Sequence, residues 1–110
     1  TMGKYFSILP EDIEVALDAI DKYLEWNDIA TRDGDMIDKV IMTGKYARMM
    51  FYSSNETSHY FVIGVKSDSF LSPKILNPFY FDKENALLLK DFFIAYKNDE
   101  LKTSDSSKYN

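Results

Sequence analysis

The sequence predicts an α+β fold: an N-terminal helix, a three-stranded antiparallel β-meander, an irregular apolar segment, and a C-terminal helix packed on the sheet. Three observations predict it. Apolar residues recur at helical spacing over 10–26 and again over 82–98. Between them the pattern changes to short runs rich in Val, Ile, Met, Tyr and Phe, separated by "TGK" and "SSNETS".

In the first helix, Ile13, Leu17, Ile20 and Leu24 are spaced four, three and four, the stripe of an amphipathic helix. Pro10 suits the first turn, where its missing N–H has no intrahelical partner, and Glu11 and Asp12 suit the positive end of the helix dipole. Leu9 is a poor N-cap residue. After Trp26, "NDIATRDGD" supplies breakers, with Asp33-Gly34-Asp35 as the turn.

Strands are expected near 36–43, 45–53 and 58–66. Setting Ser54 opposite Ser58 around Asn55-Glu56-Thr57 fixes the register of the second and third. One face then holds Ala47 with Val65, Met49 with Ile63 and Phe51 with Phe61. The other holds Tyr46 with Lys66, Arg48 with Gly64, Met50 with Val62 and Tyr52 with Tyr60. A slip of one residue mixes the two sets, so clean sorting favours this register. Lys4 to Ile8 is a candidate short strand.

The stretch "SDSFLSPKILNPFYF" carries Phe70, Leu71, Ile75, Leu76, Phe79 and Tyr80, too apolar for a solvated loop. It is expected to pack over the sheet or to add a short edge strand, and Pro73 and Pro78 argue against a central one. Asp82 caps the second helix, with Lys90 and Lys97 toward its C-terminal half. Leu87, Leu88, Leu89, Phe92, Phe93 and Tyr96 occupy more than half its circumference, so it is expected to be nearly surrounded by protein. Residues 2–98 form a single domain in this reading, and 99–110 a polar, disordered tail.

Composition narrows the function classes. A chain of 110 residues with 45% hydrophobic content can bury a core without staples, and the absence of cysteine excludes disulfides, thiolate nucleophiles and cysteine-ligated metals. The sequence carries no leader pattern and no apolar run near the length of a membrane span, which points to a cytoplasmic protein without membrane partners. His59 is the only histidine, and Ser58 beside it alternates to the opposite face of the strand. No phosphate-binding glycine loop occurs, and Asp33 and Asp35 lack the Glu a calcium loop needs at its twelfth position, where Gly44 stands. The expectation is a protein without catalytic residues, cofactor or metal.

The net charge of -5 is unevenly spread: residues 1–35 carry nine acids against three bases, whereas 36–80 carry three against five. Glu14, Asp18, Asp21 and Glu25 line one face of the first helix. Either this row is an ordinary solvated face or it docks on a basic surface. The first functional expectation is therefore a small regulatory or inhibitory protein acting by protein–protein contact through that acidic face. The alternative is a single-stranded RNA or DNA binding regulator, with Tyr46, Arg48, Tyr52, Tyr60 and Lys66 stacking bases and meeting phosphates. A pI near 4.7 weighs against it. Oligomeric state is open at this point.

Overall fold

The computed structural model describes residues 8–68 and 73–106. The elements are α1 (Pro10–Asp33), β1 (Asp38–Thr43), β2 (Ala47–Ser53), β3 (His59–Asp68), β4 (Pro73–Phe81) and α2 (Lys83–Ser106). The strands form one antiparallel sheet in the order β1-β2-β3-β4, and α1 and α2 pack against each other and against the sheet. Lys4 to Ser7 of the candidate N-terminal strand, Phe70 and Leu71, and the last four residues of the expected tail lie outside the described residues.

Helix α1 runs seven residues past Trp26. It stops where Gly34 takes the left-handed conformation (φ 68) and Asp35 N–H bonds back to the Ala30 carbonyl at 2.9 Å. Its buried face is rotated slightly from the Ile13/Leu17/Ile20/Leu24 stripe. Ala16, Ala19, Ile20 and Tyr23 are fully buried, while Leu17 and Leu24 are half-buried. The two alanines let the helix approach the sheet closely, which brings Tyr23 down to Phe51 and Phe61, ring centroids 5.6 and 5.8 Å away.

Asp12 does more than complement the dipole. Its carboxylate is fully buried and accepts the backbone N–H groups of Lys45 (2.7 Å), Tyr46 (2.8 Å) and Ala47 (2.8 Å), the turn that joins β1 to β2. Three backbone donors at the β1–β2 turn are thus satisfied by one side-chain acceptor from α1. Gly44 makes room for this: a Cβ there would lie 2.8 Å from Asp12 Cγ.

Strands β2 and β3 pair in the register read from the sequence, from Ala47 opposite Val65 to Ser53 opposite His59. The expected three-stranded meander is corrected to four strands. Pro73–Phe81 does not lie across the sheet as an irregular segment; it pairs along β3 as the edge strand. The prolines are compatible with this because Pro73 opens the strand and Pro78 falls at an interruption in the pairing, where Asn77 has φ 51. A second bulge lies between Val40 and Met42 on β1.

Helix α2 also departs from expectation. Asp82 caps it, accepting from Asn85 N–H at 2.9 Å, and Ala86, Leu89 and Phe93 are buried. Yet Leu88 and Phe92 are 61% and 60% exposed, so the helix is covered on one side only. Its backbone continues to Ser106, through much of the stretch expected to be a tail. Three lysines seven residues apart meet three acids seven residues apart on α1: Lys83 with Asp28 (3.8 Å), Lys90 with Asp21 (2.7 Å), and Lys97 with Glu14. This ladder fits antiparallel neighbours in contact along a seven-residue repeat, and each exposed pair contributes only about 0.2–1 kcal/mol.

Replacing Asp12 by Ala leaves three turn N–H groups without their acceptor and is expected to lower unfolding stability by about 2–4 kcal/mol in denaturant titrations. Gly44→Ala is expected to cost about 1–3 kcal/mol by pushing into that carboxylate. In the double variant the clash is gone, so its loss should fall below the sum of the two; simple additivity would refute the contact.

Candidate functional site

The alternation of β-strands, combined with the two bulges, sorts the sheet into two surfaces. Met49, Phe51, Phe61 and Ile63 face the helices and form the core with Ile20, Tyr23 and Phe93. The opposite surface carries Asp38 and Val40 from β1, Arg48, Met50 and Tyr52 from β2, Tyr60, Val62 and Lys66 from β3, and Ile75 and Tyr80 from β4. Both helices contact the sheet, and on this second surface Val62 is only 5% exposed while Met50, Tyr60 and Lys66 are half-buried. Tyr52 is 37% and Tyr80 58% exposed.

At the centre of this open face three tyrosines cluster. Tyr52 and Tyr60 are directly paired across β2 and β3, their ring planes inclined by 29° with centroids 6.5 Å apart. Tyr80 sets its edge against both, 5.9 Å from Tyr52 and 6.5 Å from Tyr60. A shallow depression beside them is lined by Asp38, Met50, Val62, Ile75 and Pro78. Tyr80 is missing from the candidate residues read from the sequence, although "FYF" signals it: Phe79 and Phe81 facing the core put Tyr80 on the other side.

The other residues of the aromatic and basic set are placed differently. Arg48 is 5% exposed, and its guanidinium donates to Thr43 Oγ1 (3.3 Å) and to the Ser67 carbonyl (3.2 Å). Its charge therefore braces neighbouring strands. The space beside it over Gly64 is filled by the Ile75 side chain. Tyr46 sits in the turn held by Asp12, with Lys45 Nζ 5.3 Å from its ring, and lines a cleft with Ile8 and Leu9. Lys66 is half-buried at the far end of the face, opposite Ile75.

The acidic row is divided by the fold. Glu14 and Asp21 are paired with Lys97 and Lys90 of α2. Glu25 shares Lys22 at 3.3 Å, and Asp18 has no ion pair among the described residues. Asp18, Asp21 and Glu25 line a groove beside Met42 of β1. No group of three or more potential metal-ligating side chains occurs among the described residues, and no helix there is long and apolar enough to cross a membrane.

A Ser–His pair does exist, although not with Ser58. The register that sorts the faces puts Ser53 opposite His59, and Ser53 Oγ lies 2.6 Å from His59 Nδ1. His59 Nε2 lies 3.2 Å from the Glu56 carbonyl, which can only accept, so Nε2 is the donor of that bond. Ser53 Oγ in turn accepts Ile37 N–H at 3.0 Å. Both residues are buried, and Tyr23 donates its hydroxyl to the His59 carbonyl at 2.7 Å. These bonds close one end of the core, joining α1, the β2–β3 loop and the segment before β1. Burial first, then the nearby charge of Asp82, pushes the Tyr23 hydroxyl above its ordinary range.

No family model, curated protein or solved structure matches this chain. The functional reading rests on the surfaces themselves.

Because the Tyr23 hydroxyl is held protonated in the fold, the unfolded chain releases its proton more readily as pH rises past the ordinary phenol value. Tyr23 therefore contributes stability that is present at neutral pH and lost above about pH 10. Tyr23→Phe is expected to cost about 1 kcal/mol near pH 7 through the lost hydrogen bond and to make the alkaline fall in stability shallower. An unchanged alkaline slope in urea titrations between pH 8 and 11 would contradict this.

Proposed function

We propose that the protein is a small non-enzymatic regulatory or inhibitory module that acts by contact with another protein, and that the open face of the sheet is its main contact surface. One observation carries the reading. β4 extends the sheet sideways, so Tyr52 and Tyr80 are exposed, and Met50 and Tyr60 half-buried, on the side away from the core. Tyrosine and methionine are enriched in the centres of protein interfaces: tyrosine brings large contact area at modest conformational cost, and methionine adapts its shape to its partner. A shallow depression of this kind suits a macromolecule better than the deep concave pockets that hold small molecules do.

The acidic row has a secondary role in this reading. Asp18 and Glu25 steer a basic partner, while Glu14 and Asp21 are largely neutralised by α2. A reducing, cytoplasmic setting fits a chain without cysteine.

Single-stranded nucleic acid is the second reading. The adjacent Tyr52 and Tyr60 rings and Lys66 on the same face support it. The commitment of Arg48 to Thr43 and Ser67 and the acid surplus of the chain make it the weaker one.

A pull-down from native cell extract tests the two, comparing the unaltered chain, Tyr52→Ser/Tyr80→Ser, and Asp18→Lys/Glu25→Lys, each with and without nuclease. The expected result is a protein partner that survives nuclease, is lost in the tyrosine variant, and is retained with a weaker salt dependence in the acidic variant. Capture abolished by nuclease transfers the face to nucleic acid. Retention in the tyrosine variant removes the open face as the site.

A further inference from the structure

Resting on the reading of the open face as an interface, we infer that a second copy of this chain docks there, face to face. A two-fold interface must be self-complementary: the same patch, turned over, has to fit itself. The open face meets this requirement in its charges. Asp38, exposed, stands at one corner, in the row of Tyr52 and Tyr60; Lys66 stands at the opposite end of β3, facing Ile75. Neither has an ion pair among the described residues.

Strand geometry gives the separation. Six residues along β3 and two strand spacings put Asp38 and Lys66 roughly 20 Å apart on the diagonal of the face. A two-fold axis lying between the sheets, perpendicular to that diagonal at its midpoint, brings each Asp38 over Lys66 of the second copy. Two symmetric ion pairs then flank an apolar centre. The same operation sets Tyr52 and Tyr60 of each copy against Ile75 and Pro78 of the other, rings against aliphatic groups. Arg48 does not oppose this pairing, because its guanidinium is already satisfied by Thr43 and Ser67.

Area bounds the size of the contact. Four strands about 4.8 Å apart and about 20 Å long present roughly 400 Å² per copy. That is about half of the roughly 800 Å² per partner of a standard stable interface. A face of this size belongs with small, reversible interfaces, which leaves it available to a competing partner at low concentration.

Sedimentation velocity of the full chain from about 1 μM to 1 mM tests the inference. The expected result is a concentration-dependent rise from monomer to dimer. Lys66→Asp should weaken dimerisation about tenfold by setting like charges together, and Asp38→Lys/Lys66→Asp should restore it. Tyr80→Ser should abolish it, with circular dichroism confirming that each variant is folded. A monomer at every concentration overturns the inference. So does a dimer indifferent to Tyr80→Ser, or a charge swap that fails to restore what Lys66→Asp loses. If the chain stays monomeric while the tyrosine variant still loses its captured protein partner, the self-docking inference fails and the open-face reading survives.

Discussion

The carboxylate of Asp12 is the contact on which the arrangement of helix and sheet depends. Three consecutive backbone donors, those of Lys45, Tyr46 and Ala47, enter β2 from a turn too tight to pair them within the strands. Buried without an acceptor, each would cost more than an ordinary hydrogen bond returns. Asp12 supplies that acceptor from the first turn of α1, which fixes the start of the helix over the start of β2. From there Ala16 and Ala19 keep the helix close to the sheet, and Tyr23 reaches the His59 carbonyl near the other end of the sheet. The helix is thus pinned at two points about three turns apart by polar bonds, with Ile13 and Ile20 buried between them.

This fastening explains why the two surfaces of the sheet differ so sharply. α1 and α2 both pack on the face that carries Met49, Phe51, Phe61 and Ile63, and the lysine–acid ladder between them sets their antiparallel alignment. With both helices used on one side, the described apolar stretch before α2 was a candidate to cover the other side. β4 uses its apolar residues differently. Phe79 and Phe81 join the core, and the strand adds one more row to the sheet. The tyrosine face is left open as a consequence of the pairing of β4 with β3.

The two candidate surfaces change rank for the same reason. An acidic stripe seen along one helix counts every carboxylate as available, but an adjacent antiparallel helix with lysines at the matching interval takes up Glu14 and Asp21. Arginine on an exposed strand face counts as available too, until a bulge in β1 brings Thr43 opposite it and β3 offers the Ser67 carbonyl. Of the two candidate surfaces, the tyrosine cluster keeps Tyr52 exposed and gains Tyr80, whereas the acidic row keeps only Asp18 without an ion pair among the described residues.

The sequence by itself determined the α+β class, both helices, and the register of β2 against β3, because each is written in local periodicity: 3.6 for a helix, 2 for a strand. That same register already contained the Ser53–His59 pair, legible once the strands were set opposite each other. Only the tertiary structure decided the role of Asp12, whose partners lie more than thirty residues away and are backbone groups without a sequence signature. It also decided that 73–81 extends the sheet, since two prolines and a bulge break the strand pattern that would have announced it. The open face follows from both decisions. Long-range partners of this kind are chosen by burial and by the need to satisfy every backbone donor, and neither requirement is visible in a stretch of chain taken alone.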